Sequence, residues 1–242
     1  MEFEVFDLGL VDFLKTWSFQ KETFNKVRNN LISSALILCR HYPVITLGRL
    51  TDKNNILASE QELKVKGINV YAIERGGDVT YHGPGQLTIY PVFDLNYFGR
   101  DIHSFLRFLE EVVIDFLAEF GIYAMRRAGL TGVWLNTEKI ASIGISVKNW
   151  ISFHGLSINV TSDDLDNFRF IRPCGMNIKM TSMETLLKEK PSLEILKEII
   201  INKFKSKMRD THAIKAECVP ERFRNVSLGD TLPIGSLGVP VV

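Results

Sequence analysis

The chain has 242 residues, 45% of them hydrophobic, and its 29 basic and 28 acidic residues give a formal net charge of +1. This balance excludes a general electrostatic attraction to nucleic acid or to an anionic membrane surface. No apolar run is long enough to span a bilayer, and the acidic first ten residues are not typical of a signal peptide. Three cysteines argue against a disulfide framework, so we expect a cytoplasmic protein.

The first half of the chain is predicted to contain one helix followed by several strands. The helix lies within residues 10–28. Residues 34–48 have the pattern of two strands interrupted by a proline, and residues 68–74 form a further short strand. Residues 75–86, RGGDVTYHGPGQ, are a predicted connection. Residues 87–95 alternate as the next strand.

The second half adds two amphipathic helices and a cluster of strands. The helices are predicted at 101–120 and 192–208. Residues 132–160 form the clearest strand region, with turns at 136–138 and 148–150. Regular βαβ alternation is absent, which excludes a Rossmann order. We therefore expect an α+β fold with a mixed or largely antiparallel sheet and flanking helices.

The connection 75–86 contains four glycines together with Arg75, Tyr81, His82 and Gln86. Phosphate-binding loops normally run into a helix N-terminus, whereas this one joins two strands. It also lacks G-x-x-x-x-G-K-[ST] and G-x-G-x-x-G, so ATP or NAD binding by those motifs is not predicted. Two interpretations remain: a tight turn, or a wall whose bare backbone approaches an elongated ligand. The four polar side chains favour the wall.

Cys174 lies between Pro173 and Gly175, which indicates a defined loop rather than a strand or helix interior. It can be a buried apolar residue or a nucleophile, and its neighbours alone do not decide. Cys39 lies in an apolar strand and is expected to be buried. Cys218 remains undecided, with the structural interpretation favoured.

Lys139 begins a predicted strand of mostly apolar residues. Strict alternation places it in one row with Ala141, Ile143, Ile145 and Val147. A lysine on a buried face has a lowered pKa and can serve a reacting centre. The alternative is a lysine at the mouth of the strand whose ammonium reaches water.

The histidines give weaker indications. His154 lies on a mostly apolar row, where a histidine is more often a satisfied core residue than a ligand. The only close pair of metal-ligand type is Cys39 with His41, so no metal site is predicted. A papain-like arrangement is disfavoured because His212 is the only histidine after Cys174.

Three segments, RGGDVTYHGPGQ at 75–86, KIASIGISV with FHGLSIN between 139 and 159, and RPCGM at 172–176, together resemble the lipoyl (octanoyl) transferases. The resemblance covers essentially the whole chain. It implies a single catalytic domain over residues 1–242 with a biotinyl/lipoyl protein ligase-like fold. The related ATP-dependent lipoate ligases have a different glycine loop and lack the cysteine.

The resemblance also assigns roles to residues. Cys174 is implied as the nucleophile and Lys139 as its activator. Ser157 stands where alanine is common, and Arg172 replaces a small or polar residue. The acyl-substrate site is implied to be lined by Arg75, Gly76, Gly77, Asp78, Val79, Thr80, Tyr81, His82, Ser142, Ile143, Gly144, Gly155, Leu156 and Ser157.

The implied reaction moves an octanoyl group from octanoyl-acyl carrier protein, where phosphopantetheine carries it, through a cysteine thioester to a lysine. The implied acceptors are the lipoyl domains of 2-oxoacid dehydrogenase complexes and the glycine cleavage H protein. This is the first step of protein lipoylation. It needs no cofactor of the enzyme's own, no metal, and no nucleic-acid or membrane partner, and we expect a monomer.

Three alternatives stay open. An ATP-dependent lipoate or biotin-protein ligase would form an acyl adenylate. A non-catalytic protein that binds acyl groups or lipoyl domains would show binding without turnover. A cysteine hydrolase would release free acid.

Overall fold

The computed structural model describes residues 2–217, and for Cys174 and residues 211–217 it describes the backbone alone. Cys218 therefore lies outside the described residues. The helices are α1 Phe13–Arg28, α2 Glu60–Val65, α3 Ile102–Ala118, α4 Met183–Leu187 and α5 Leu193–Glu217. The strands are β1 Glu4–Val11, β2 Ala35–His41, β3 Val44–Leu47, β4 Asn69–Ala72, β5 Val79–His82, β6 Gln86–Val92, β7 Met125–Arg127, β8 Leu130–Leu135, β9 Glu138–Lys148, β10 Ile151–Asn159 and β11 Lys179–Met180.

The strands form two sheets. The large sheet has the order β1-β2-β6-β10-β9-β8-β7, with β11 attached to β9. Its β1–β2 and β11–β9 pairs are parallel and the others antiparallel. The small sheet has the order β4-β3-β5. This architecture confirms the predicted α+β fold with a mixed sheet.

Helices cover both faces of the large sheet. On one face, α1 packs against β10, β6 and β2, above an apolar cluster that contains Ile37, Tyr90 and Phe153. On the other face, α3 packs against β8, β9 and α5, over the main core. Successive side chains of each central strand enter the two clusters in turn. The central strands are therefore apolar on both sides.

The predicted long helices and the hairpin turns are confirmed. Helix α3 begins after Asp101, whose carboxylate accepts the Ser104 N–H at 3.0 Å. Asn149 and Trp150 both have positive φ, as a two-residue hairpin turn requires. Helices α2 and α4 were not predicted, because six and five residues are too few to show a period. No helix of the described chain is long and apolar enough to cross a membrane.

The connection 75–86 differs from the prediction. Its middle, Val79–His82, is a strand that pairs antiparallel with β3. The glycines on either side hid this strand, since glycine is uncommon in strand interiors. The stretch is therefore a short strand between two glycine turns.

Candidate active site

A cavity of about 410 Å³ opens between the two sheets, within the range of roughly 300–1,000 Å³ typical of small-molecule sites. Its walls come from the glycine stretch, from β9 and β10, and from the chain around residue 174. Of the residues implied for the acyl site, those that line it are Arg75, Gly76, Gly77, Asp78, Val79, Thr80, His82, Ser142, Ile143, Gly144, Gly155, Leu156 and Ser157.

Tyr81 is the exception, and its expected position at the substrate was wrong. The side chain is fully buried, with its ring against Phe168 and its hydroxyl bonded to Asp164 and Asn167. Successive side chains of β5 point to opposite sides, and Tyr81 lies on the side that packs with Phe168 in a core cluster, opposite to Thr80 and His82. Tyr81 is a core residue that anchors the stretch.

The second glycine turn, at residues 83–85, packs around Asp164, which binds the Tyr81 hydroxyl. A β-carbon at Gly83 would lie 1.8 Å from Asp164 Oδ2 and 2.4 Å from the Tyr81 hydroxyl. The Gly85 N–H donates to the same carboxylate at 3.2 Å. The glycines at 83 and 85 therefore make room for Asp164, and only the first part of the stretch borders the cavity.

Arg75 is held by protein oxygens. Its guanidinium donates to the Thr46 carbonyl at 2.6 Å, to the Thr46 hydroxyl, and to the Gly76 carbonyl at 3.0 Å. The side chain is 7% exposed. These bonds fix the first glycine turn to β3, so Arg75 shapes the wall of the cavity while contributing a positive charge to it.

A chain of hydrogen bonds links the glycine stretch to the strand of Lys139. His82 Nδ1 donates to Gln86 Oε1 at 3.1 Å, because an amide oxygen can only accept. Gln86 Nε2 donates to Asn159 Oδ1 at 2.9 Å, and Asn159 Nδ2 reaches the Lys139 carbonyl at 3.5 Å. Burial holds the pKa of His82 well below its usual value, so its ring is neutral at pH 7.

Lys139 lines the cavity and is only 6% exposed, which confirms the expected burial. The expected row was wrong, because β9 contains a bulge. Val133 pairs with Ala141 but Trp134 pairs with Lys139, so Ile140 is an extra residue. Ile140 and Ala141 accordingly both enter the main core. The bulge reverses the alternation and places Lys139 on the side of the strand that Ser142 occupies.

The surroundings of Lys139 were not recognised in the sequence. Its Nζ lies 5.1 Å from the centroid of the Trp134 ring, within range of a cation–π contact. Gly132, with φ +127, leaves the space that the lysine stem fills. The Gly132 N–H donates at 3.1 Å to Glu110, a carboxylate only 1% exposed that also accepts from Arg126. The hairpin turn at 136–137 is recognisable in the sequence and places residues 134 and 139 opposite each other. That turn was the one sequence feature that indicated the contact between Trp134 and Lys139.

Cys174 lies in a helical turn, Pro173–Gly175. Pro173, within the turn, and Met176, directly after it, line the same cavity. The turn packs against β5 and against a second short turn, Lys53–Asn55. The Arg172 N–H donates to the Asn55 carbonyl at 2.8 Å. The side chain of Asn55 donates to Asp78 Oδ2 at 2.6 Å. Asn55 thus links the cysteine turn to the glycine stretch, and no sequence motif indicates this contact.

His154 also lines the cavity, with a φ of 58° and its N–H bonded to Gln20 Oε1 at 2.8 Å. Its Nε2 lies 3.6 Å from Glu74 Oε2. Burial lowers the pKa of His154, and the neighbouring histidine lowers the pKa of Glu74 to about 2. Cys39 is buried, as expected. No group of three or more potential metal ligands lies together among residues 2–217.

Comparison with solved structures identifies the fold. A lipoate-protein ligase A bound with ATP superposes with a TM-score of 0.67 at 16% identity, covering 90% of this chain and 94% of that chain. The biotin protein ligase of Aquifex aeolicus gives 0.51 at 10% identity, covering 90% and 76%. These similarities define the class of the protein as the catalytic fold of lipoyl and biotinyl protein ligases.

Sequence comparison is more specific. Residues 12–205 match the family model of the lipoyl protein ligase A/B catalytic domain. The octanoyltransferase of Clostridium kluyveri is 40% identical over 220 residues, 90% of this chain and 93% of the relative. Those of Cytophaga hutchinsonii (39% over 215 residues, 81% and 88%) and Geotalea uraniireducens (45% over 181 residues, 74% and 81%) are similar. The chain belongs to the lipoyl protein ligase A/B family, among its octanoyltransferases, and is an acyltransferase.

Proposed function

We propose that this chain transfers an octanoyl group from octanoyl-acyl carrier protein to Cys174 and then to a lysine of a lipoyl domain. The acceptors would be the lipoyl domains of 2-oxoacid dehydrogenase complexes and the glycine cleavage H protein. One observation carries the proposal. The same cavity is lined by Lys139, by Gly76 and Gly77 of the first glycine turn, and by Pro173 and Met176 on either side of Cys174. Family membership supports it.

In the first step the Cys174 thiolate attacks the carbonyl carbon of the donor thioester. A new C–S bond forms, the C–S bond to phosphopantetheine breaks, and the departing sulfur takes a proton. The thiolate is the reactive form, and an ammonium near it favours that form. Lys139 would supply this charge, or would take the thiol proton if its amine is neutral.

In the second step the acceptor lysine, having lost one proton to solvent, attacks the thioester carbon through its nitrogen. The C–N bond forms and the C–S electron pair leaves with the Cys174 sulfur. The nitrogen gives up a second proton, which ends on the sulfur and restores the thiol. Lys139, which lines the cavity, would carry that proton.

Both steps develop negative charge on the carbonyl oxygen, which N–H donors stabilise. The Gly76 N–H already donates to Ile145 and the Gly175 N–H to Arg172. Of the three glycines considered for this role, at positions 76, 77 and 175, Gly77 therefore remains as the backbone donor to test. The acyl chain would lie along apolar parts of the cavity, near Leu156 and Ile143.

Intact-mass spectrometry after incubation with octanoyl-acyl carrier protein tests the proposal. The wild type should gain one octanoyl group, which hydroxylamine removes, and Cys174→Ala should gain none. Cys39→Ala is the matched control and should be acylated normally. An adduct that persists in Cys174→Ala would show that another residue is the nucleophile. Octanoate with ATP and no carrier protein should give neither adduct nor pyrophosphate, whereas pyrophosphate release would favour a ligase.

A further inference from the structure

The charges around the cavity are unfavourable for an incoming ammonium group. Arg75 and Lys139 both line it and both are buried. His82 and His154 also line it, and burial lowers the pKa of each, which favours the neutral ring and supplies no negative charge. A lysine side chain that enters in its usual charged form would meet the Arg75 guanidinium at low dielectric, and also the Lys139 ammonium whenever that amine is protonated. A counter-charge is needed if a lysine is to dock there.

Asp78 is the only carboxylate among the described residues that line the cavity. It is 9% exposed. Its Oδ2 accepts the Asn55 amide N–H at 2.6 Å, while its buried Oδ1 has no hydrogen-bond partner among the described residues. Burying a carboxylate oxygen without a donor is costly, so this atom requires an explanation. A donor that arrives with the substrate provides one.

The position of Asp78 fits a substrate that must reach Cys174. Asp78 directly precedes β5, and the Pro173–Gly175 turn packs against that strand. Asn55 holds the carboxylate through its side chain and the Arg172 N–H through its carbonyl. The carboxylate is therefore fixed relative to the segment that carries the cysteine, and two rigid contacts preserve that relation.

We propose that Asp78 is the docking point for the ε-ammonium of the acceptor lysine, which donates a hydrogen bond to Oδ1. This inference rests on the proposed function, because it needs a lysine acceptor. A carboxylate favours the charged form of an amine and does not itself make it nucleophilic. Asp78 therefore contributes to binding the acceptor and opposing the repulsion of Arg75 and Lys139, and its effect belongs to the acceptor KM more than to kcat.

The experiment separates the two half-reactions in Asp78→Asn. The asparagine oxygen can still accept from Asn55, so the link to the cysteine turn is kept. Acylation of Cys174 from octanoyl-acyl carrier protein should stay within about twofold of wild type, while the KM for a lipoyl-domain acceptor should rise about tenfold or more. Hydroxylamine is neutral at pH 7.5, and it should remove the octanoyl group from both acylated proteins, as octanohydroxamate, at equal rates.

Asp163→Asn is the matched control, because it removes the same charge from an exposed carboxylate outside the cavity lining. It should leave both half-reactions unchanged. Asp78→Ser, a smaller neutral variant, repeats the test if Asp78→Asn folds poorly. A purely structural role for Asp78 would slow hydroxylamine and lysine alike, and that outcome would refute the docking role.

The failures of the two proposals are distinguishable. If wild-type protein acquires no octanoyl group on Cys174, the proposed function fails and the docking role fails with it. If the adduct forms and Asp78→Asn transfers it with an unchanged acceptor KM, only the docking role is refuted. Loss of acylation equal to the loss of transfer would instead assign Asp78 to the donor.

Discussion

The side chain of Lys139 fills the space that a side chain at residue 132 would need. A β-carbon at Gly132 would lie 2.5 Å from Lys139 Cε and 3.1 Å from its Nζ. Gly132 also has φ +127, a backbone conformation that other residues adopt only under strain. The absence of a side chain at residue 132 therefore helps to set the position of the Lys139 side chain on the cavity wall.

Gly132→Ala should displace Lys139 from the cavity wall. We expect octanoyl transfer to fall about tenfold or more, since a shift of about 1 Å at a reacting group has effects of that order. Overpacking should also cost about 1–3 kcal/mol of folding stability. Gly121→Ala is the matched control, because Gly121 has φ +71 and nothing within 4 Å of the added carbon. It should lose stability but keep the reactivity of Cys174; equal losses of transfer in both variants would contradict this account.

Lys139→Met tests the activating charge with a side chain of similar length. Without a neighbouring ammonium, Cys174 of the variant should behave like an ordinary thiol, with half-maximal alkylation at about pH 8.5. In wild type the midpoint should lie at a lower pH. Iodoacetamide alkylation followed by mass spectrometry across pH measures this, with Cys39→Ala as background. Coincident pH profiles for wild type and Lys139→Met would remove the lysine from the mechanism.

The sequence predicted the central features of the fold because they depend on local patterns. The long helices show a clear period, and the strands between residues 132 and 160 alternate around recognisable turns. The row of Lys139 could not be predicted, since a bulge at Ile140 follows from how β8 and β9 pair and not from β9 alone. The expectation for Tyr81 fails for a related reason: the glycines of residues 75–86 predict a connection, whereas the folded chain forms a strand there that pairs with β3.

The remaining parts of the site come from contacts between distant segments. Asn55 meets Asp78 and the cysteine turn only after folding, and Glu110 reaches Gly132 from helix α3. Neither residue belongs to a local motif. By contrast, Lys139 and the residues beside Cys174 were recognisable because their chemistry or their glycines mark them within a few positions of sequence.

His41 should make folding stability depend on pH. Its Nδ1 donates to the Val11 carbonyl and its Nε2 accepts from the Tyr90 hydroxyl at 2.7 Å. Burial lowers the pKa of His41 from 6.5 to about 4. Between those values the unfolded chain binds a proton that the folded chain does not, so stability falls as pH decreases. The loss from His41 alone should approach about 3 kcal/mol by pH 4.

Urea denaturation at pH 7 and pH 5 measures this effect. His41→Gln should be less stable at pH 7 but should lose less stability between the two pH values than wild type. The exposed His103 provides the control, since His103→Gln should keep the wild-type slope. His82 and His154 also have lowered pKa values and add to the slope, so some dependence should remain in His41→Gln. An unchanged slope in His41→Gln would mean that this imidazole is not the titrating group.

Asn55→Asp tests the link between the glycine stretch and the cysteine turn. It would set a second carboxylate against Asp78 Oδ2, where Asn55 Nδ2 now donates at 2.6 Å. Like charges at that distance repel, so we expect slower acylation of Cys174, by about tenfold. Asn54→Asp adds the same charge one residue away at an exposed position and should have little effect.

The double variant Asn55→Asp with Asp78→Asn restores the hydrogen bond in the opposite direction, since the new amide at residue 78 can donate to the new carboxylate. Acylation of Cys174 should therefore recover toward wild type, while the acceptor KM stays high because residue 78 no longer carries a charge. Recovery of both steps would place the acceptor's counter-charge elsewhere. Recovery of neither would show that the side-chain contact between residues 55 and 78 does not control the acylation of Cys174, because this variant restores that contact.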